Sequence, residues 1–277
     1  MSLSLTDYYC ASIAPGSAAL LRMRRGWRPA VAHKSVASAA VQSTAAPWQA
    51  ELGLLEGLLR EARRGLPLNI VISNHYLRYR LLPAPPLSMP EAGVQALLLH
   101  CFRETYGDAA DGWYIRANPM PERGDVVACA VDRALIEGLK AAAAKAGLKL
   151  ASAQPYLMNG FNAACRSMAG APACFVQAEP GRIMLGTMQD NNWLGLRAIA
   201  ATSRWQEELP AHIEREILLA GWENASPAVF LHAPDAGYKF TAQDTQRWQL
   251  KRVATRPVDG YSTQDDMACA MALSGVR

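Results

Sequence analysis

Two stretches of the chain carry the same order of apolar runs and polar turns. The first begins with an apolar run that ends at Pro15-Gly16, and the second begins with one that ends at Pro180-Gly181. In both, a second apolar run, a polar turn that includes a tryptophan, and a third apolar run follow. Because Pro-Gly marks a turn, each stretch predicts a meander of three antiparallel strands.

The correspondence extends beyond the meanders. Amphipathic helices are predicted over Trp48–Arg64 and Trp205–Leu219, and each leads to a short apolar strand, Asn69–Ser73 or Ala228–Leu231. The order β-β-β-α-β therefore occurs twice, which favours an internal duplication over two unrelated α/β units. This order is the core of the ribonuclease H-like fold, and two copies in tandem describe actin, sugar kinases and Hsp70. The predicted fold class is α/β, with tandem ribonuclease H-like lobes of the actin-like ATPase type.

Residues 76–170 have no counterpart in the second copy. Their pattern predicts a β-β-α-β subdomain at about residues 76–155, inserted in the first lobe. The domains are therefore predicted as residues 1–170, with the insertion, and residues 171–277. Asp132 lies between a predicted strand, Val126–Val131, and a predicted helix, Arg133–Ala146. An aspartate there is typical of an N-cap, so we expect it to bind amides of the first turn rather than to act in catalysis.

The C-terminus carries the spacing of a capping box. Thr263 is followed by Asp266, and then by a short run of small apolar residues, Met267–Leu273. We expect this run to form a helix that packs on the second lobe.

Composition narrows the function classes. Of 277 residues, 51% are hydrophobic and 19% are charged, which excludes a disordered chain. The net charge is only +4, and the sequence has no dense stripe of lysine and arginine such as nucleic-acid-binding proteins carry. No nucleic-acid partner is therefore expected. No apolar run is long enough to span a membrane, and the N-terminus does not read as a signal peptide. The six cysteines contain no C-x-x-C pair, so we expect free thiols in a cytoplasmic protein.

Several stretches resemble the PilM/GspL group, the actin-like proteins of type IV pilus and type II secretion machines. They are IVISNHYLRYR (Ile70–Arg80), ACAVDRALIEGL (Ala128–Leu139), LKLASAQPYLMNGFN (Leu148–Asn162) and the closing MACAMALSGVR. The resemblance implies a cytoplasmic scaffold at the inner face of the inner membrane, which docks on the cytoplasmic tail peptide of a membrane component of the pilus or secretion machine. It also implies an interlobe cleft that binds ATP in some members and has lost it in others.

The two Pro-Gly hairpins stand where an actin-like ATPase grips phosphate. Phosphate binding there needs a glycine-rich turn, whose backbone amides can approach the phosphates, and a carboxylate that holds Mg²⁺. The first hairpin offers Gly16 and Ser17 without an acid, and the second offers Glu179, Gly181 and Arg182 beside Pro180, which has no amide proton. We therefore expect a vestigial nucleotide cleft at these residues, with hydrolysis lost, no metal site and no bound cofactor.

Other classes of function remain open on the sequence. An ATP-binding switch or a small-molecule kinase with an atypical phosphate grip is the alternative to a non-catalytic scaffold. A ribonuclease H-like nuclease needs a carboxylate on its first strand, and Tyr8–Ile13 has none.

A polar segment follows the strand Asn69–Ser73, at the edge where α/β proteins bind ligands. Tyrosine and arginine are enriched in binding hot spots, so we expect a partner surface in a groove built from residues 70–80 and 126–133. An ordinary polar strand end is the alternative interpretation. The candidate contact residues are Asn74, His75, Tyr76, Arg78, Tyr79 and Arg80.

Overall fold

The computed structural model describes residues 7–41, 46–86, 88–117, 125–168, 170–222, 225–234, 248–254, 257–262 and 267–276. These residues form two compact units. The first unit takes the described residues within 1–77, 131–159 and 255–277, and the second those within 78–130 and 160–254. Both units are discontinuous in sequence, unlike the predicted domains 1–170 and 171–277.

The first unit is built on a five-stranded sheet. Its strand order is β3-β2-β1-β4-β8, with β1–β2 and β2–β3 antiparallel and β1–β4 and β4–β8 parallel. The strands are β1 (Tyr8–Ala14), β2 (Ser17–Arg24), β3 (Ala30–Ser38), β4 (Pro67–Ile72) and β8 (Lys149–Pro155).

Sequence explains the central place of β1 in that sheet. Six of its seven residues are buried, which suits a strand covered on both faces. β3 lies at the edge, and its residues are exposed or half-buried.

Helices α1 (Gln49–Leu59) and α3 (Arg133–Lys145) contact each other in the first unit, and α4 (Tyr156–Ala164) begins there. The prediction for Asp132 is confirmed, because its Oδ1 accepts a hydrogen bond from the Ala134 amide at 2.9 Å and caps α3. Its Oδ2 also accepts from Trp48 Nε1 at 3.3 Å, which fixes the start of α1 against the cap.

The second unit is built on an eight-stranded sheet of order β13-β12-β9-β10-β11-β7-β5, with β6 paired to β7. Among the described residues, α2 (Glu91–Tyr106) and α5 (Trp205–Leu219) belong to it. Its strands are β5 (Leu77–Pro83), β6 (Trp113–Ala117), β7 (Asp125–Asp132), β9 (Ala173–Glu179), β10 (Arg182–Gln189), β11 (Asn192–Ala200), β12 (Ala228–His232) and β13 (Gln249–Arg252).

The two sheets repeat one topology, as the internal duplication predicts. β9, β10 and β11 form the meander of the second sheet, β12 runs parallel to β9, and β13 runs parallel to β12. The order β11-β10-β9-β12-β13 is therefore the counterpart of β3-β2-β1-β4-β8. This repeated order confirms the predicted fold class of two ribonuclease H-like units.

The predicted insertion at 76–155 needs correction. Its last part, α3 and β8, completes the first sheet, because β8 pairs with β4 as the fifth strand. Its earlier part, Arg78–Ala130, belongs to the second unit, where β7 pairs with β11 through Asp125 and Trp193. Pairing between strands that are distant in sequence decides this placement, and no local pattern contains it.

The C-terminal helix also differs from the prediction. A 3₁₀ turn, Met267–Cys269, leads into α6, Ala270–Ser274. Cys269, Ala272 and Leu273 pack into the core of the first unit, not the second. The predicted capping box, Thr263 and Asp266, lies outside the described residues. In the part of the chain that the structure describes, no helix is long and apolar enough to cross a membrane.

Candidate functional site

A carboxylate from helix α1 accepts a hydrogen bond from the turn amide of the β1–β2 hairpin. Gly16 has a φ of 72°, and its N–H donates to Glu51 Oε1 at 2.7 Å. Glu51 lies in the first turn of α1, where the helix dipole favours a negative charge, and only 1% of its surface is exposed. An amide that grips phosphate must be open to the ligand. The Gly16 amide is instead bound by Glu51, and the half-buried Ser17 begins β2 beside it.

The β9–β10 hairpin has the same backbone geometry and a different side-chain arrangement. Gly181 has a φ of 79°, and its carbonyl accepts from the Ala201 amide at 3.1 Å, as the Gly16 carbonyl accepts from Ala39 at 2.9 Å. The counterpart of Glu51 in the second copy is Glu208, whose carboxylate accepts from Thr202 Oγ1 at 3.0 and 3.1 Å. The two hairpins therefore share one backbone geometry and differ in the partner of the matching carboxylate, Glu51 or Glu208.

Glu179 and Arg182 face each other across the second hairpin. They are partners in the register of β9 and β10, with Glu179 buried and Arg182 half-buried. Burial lowers the pKa of the Arg182 guanidinium from its ordinary value, and the positive charge of Arg78 lowers it further. Glu179 and Tyr79 act on the same pKa in the opposite direction. The structure thus brings Arg78 and Tyr79, predicted as partner contacts, together with two residues predicted for the nucleotide cleft.

The segment from Ser73 to Arg80 divides into a buried part and an accessible part. Asn74 is fully buried, and its Oδ1 accepts from the Leu157 amide at 3.0 Å at the start of α4. Tyr76 is also buried. Because their side chains are buried, Asn74 and Tyr76 are not part of an accessible partner surface. His75, Tyr79 and Arg80 are half-buried and Arg78 is exposed.

Two contacts hold the accessible part of this segment in place. Arg80 Nη1 donates to the carbonyl of Cys101 on α2. Tyr79 hydrogen-bonds the thiol of Cys129 on the neighbouring strand β7. Burial raises the pKa of Cys129 to about 12, as it does for Cys10 and Cys174, so these thiols are not reactive at neutral pH.

Sequence analysis missed a buried polar contact below α4. His232, at the end of β12, is 2% exposed, and its Nδ1 donates to the carbonyl of Val253 at 3.2 Å. Gln177 on β9 is its register partner and is fully buried. A Cβ at Gly160 would lie 2.5 Å from Gln177 Nε2 and 2.9 Å from His232 Cδ2, so only glycine lets α4 approach this pair.

This histidine makes stability depend on pH. Burial lowers the pKa of His232 below its ordinary value of 6.5, outweighing the opposing effect of the Val253 hydrogen bond. The unfolded chain therefore takes up a proton at His232 before the folded chain does, and the free energy of unfolding falls as pH drops below about 6.5. Urea titrations at pH 7.5 and 5.5 are expected to show this loss in the natural chain and less of it in His232→Asn, whose amide keeps a donor for Val253. The exposed His100→Asn is the control and should keep the full loss.

Neither hairpin carries a metal-binding set. Among the described residues, no three histidine, cysteine, aspartate or glutamate side chains lie together as potential ligands.

Comparison with solved structures identifies the fold. The chain is similar to the PilM–PilN type IV pilus biogenesis complex, with a TM-score of 0.73, 14% identity and 98% of each chain covered. It is also similar to the cytoplasmic domain of EpsL from the type II secretion system of Vibrio cholerae (TM-score 0.59, 8% identity, 98% and 97% covered). A Bacteroides thetaiotaomicron protein with an actin-like ATPase fold and unknown function gives a TM-score of 0.60 at 9% identity, with 99% and 97% covered.

These likenesses show that the chain has the actin-like ATPase fold over its full length. The resemblance to the PilM/GspL group is thereby confirmed at the level of the fold. No family model matches the chain, and no curated protein matches its sequence.

Proposed function

We propose that the chain is a non-catalytic actin-like scaffold of a type IV pilus or type II secretion-like assembly. The main support for the proposal is the Gly16–Glu51 contact. The amide of the turn in the first hairpin already donates to the chain's own carboxylate, so it is not open to a phosphate. In the second hairpin, Pro180 supplies no amide proton and Arg182 is placed against Glu179 rather than in a glycine-rich loop. An actin-like fold whose two hairpins lack the groups that bind phosphate is suited to binding a protein partner rather than to hydrolysing ATP.

The proposed partner is a membrane component of such a machine, which presents a cytoplasmic tail peptide. One of the similar structures is a complex with PilN, and another is the cytoplasmic domain of an inner-membrane component. The proposed location is cytoplasmic and peripheral to the inner membrane through this partner.

The surface we assign to the peptide is the edge of β5. This strand ends the order of the second sheet, so among the described strands no other pairs with its outer side. An extended peptide can add to such an edge through main-chain hydrogen bonds. Arg78 is exposed at its start, with Tyr79 half-buried beside it, and these side chains select for acidic and apolar peptide residues.

Titration calorimetry with a synthetic peptide tests this function. The peptide is the cytoplasmic tail of the inner-membrane pilus or secretion protein from the same organism. We expect one peptide per chain, and we expect Arg78→Glu to weaken binding at least about tenfold through charge reversal at the contact. Arg116→Glu reverses an exposed charge on β6 in the same unit and should leave binding unchanged. Absence of binding at 100-fold excess of peptide would contradict the proposed function. Equal weakening by both variants would contradict the β5 edge.

A further inference from the structure

The loop between β2 and β3 presents a tryptophan to solvent without packing it. Trp27 is fully exposed, although tryptophan is among the side chains with the most apolar surface to bury. The chain contains an internal comparison, since Trp193 lies beyond the corresponding turn of the second copy and is 2% exposed. The folding of the meander therefore does not require an exposed indole.

Loop length explains the difference between the two tryptophans. In the second copy, Asp190 and Asn191 have φ values of 51° and 64° and form a two-residue turn, so Trp193 already belongs to β11. In the first copy, β2 ends at Arg24 and β3 begins only at Ala30, so Trp27 lies at the tip of a longer loop.

Arginines surround this tryptophan. We name residues Arg24–Arg28 the Arg–Trp loop; Arg24, Arg25 and Arg28 are all exposed, and Arg22 is half-buried just before it. Arg25 lies over the ring of Tyr8, with its guanidinium carbon 5.7 Å from the ring centre. No acidic residue occurs in the sequence between Asp7 and Glu51, and Glu51 is buried.

Two carboxylates lie at the base of the loop rather than at its tip. Asp259 pairs with Ala30 at the start of β3, and Asp7 directly precedes Tyr8, the register partner of Met23. Since these carboxylates lie at the base and three exposed arginines flank Trp27, the tip of the loop carries positive charge.

We infer that the Arg–Trp loop docks on the surface of an anionic lipid bilayer. An indole prefers the boundary between headgroups and acyl chains, and arginines beside it bind lipid phosphates while their stems lie on the apolar boundary. The charge of the loop complements anionic headgroups, and the indole of Trp27 is already fully exposed. This contact is independent of the proposed peptide site, because it lies in the other unit of the chain.

Vesicle flotation tests the inference directly. The purified chain is mixed with vesicles of phosphatidylcholine containing 30% phosphatidylglycerol, or with pure phosphatidylcholine, at 50 mM and 500 mM salt. We expect binding to the anionic vesicles at low salt, and less at high salt because the charges are screened. Arg24→Gln with Arg28→Gln should weaken binding about fivefold for each charge removed. Trp27→Ser should weaken it roughly tenfold, and the emission of Trp27 should shift to the blue on binding in the natural chain.

A matched pair of variants separates this loop from net charge. Arg60→Gln with Arg63→Gln removes two exposed arginines from the same unit and should leave vesicle binding unchanged. The inference is overturned if the natural chain does not float with anionic vesicles at low salt, or if this control pair weakens binding as much as the loop pair. It is also overturned if Trp27→Ser abolishes binding of the tail peptide and leaves vesicle binding intact, because the loop is then a protein interface.

Discussion

Replacing Trp193 with alanine is expected to cost about 3–5 kcal/mol in the free energy of unfolding, the range for a large aromatic side chain deleted from a core. Trp193 is among the largest fully buried side chains of the chain and lies 4.6 Å, centre to centre, from the ring of Phe161. Gly186 on β10 is directly beneath it, and any Cβ there would overlap the indole. Removal of the indole therefore leaves a cavity beside Gly186, which has no side chain to fill it.

Trp27→Ala is the matched control for this experiment. It removes the same side chain from the corresponding hairpin of the first copy, where the indole is fully exposed. Urea unfolding followed by circular dichroism should show a large loss for Trp193→Ala and a change within about 0.5 kcal/mol for Trp27→Ala. Similar losses in the two variants would contradict the structural difference between the hairpins.

The second large effect is expected at an ion pair between β11 and α5. Arg197 Nη2 lies 2.6 Å from Glu216 Oε1, and the side chain of Glu216 is only 7% exposed. Burial raises the pKa of the neighbouring Cys174, and the negative charge of Glu216 adds to that rise. Arg197→Met should cost about 3 kcal/mol, because it leaves the Glu216 carboxylate buried without its cation.

The double variant identifies the cause of that loss. Arg197→Met with Glu216→Leu removes both charges and should recover most of the stability, since the uncompensated charge is gone. Arg204→Met breaks an exposed ion pair with Glu207 and should cost at most about 1 kcal/mol. If the double variant were less stable than Arg197→Met by the full cost of a second deletion, packing rather than charge would explain the effect.

The duplicated topology was accessible from the sequence for a physical reason. Central strands such as β1 and β9 are covered on both faces, so they are unbroken apolar runs, and both end at Pro-Gly turns. The edge strand β13 was missed because Gln249–Arg252 is short and polar and pairs only through its backbone. The placement of Arg78–Ala130 in the second unit depends on pairing between β7 and β11, which leaves no periodic signal.

The candidate site was only partly accessible in the same way. The two turns themselves could be read from Ala14-Pro15-Gly16 and Glu179-Pro180-Gly181. The role of Glu51 could not, since a single acid in the first turn of a helix is common and its contact with Gly16 spans 35 residues. Glu51 matches Glu208 when the two copies of the sequence pattern are aligned, and this match was the available hint of a shared role. Asn74 and Tyr76 were assigned to a partner because burial at a strand end has no sequence signature.

We propose that this actin-like fold has kept its two hairpins and no longer binds ATP with Mg²⁺. Thermal unfolding of the purified chain with millimolar ATP and Mg²⁺, beside samples with Mg²⁺ alone and with ATP and a chelator, tests it most directly. A ligand at 100 times its dissociation constant stabilises a protein by about 2.7 kcal/mol, which raises the midpoint by roughly 5–10 °C at this size. We expect the same midpoint in all three samples. A rise of several degrees that requires both ATP and Mg²⁺ would contradict it and would favour an ATP-dependent switch.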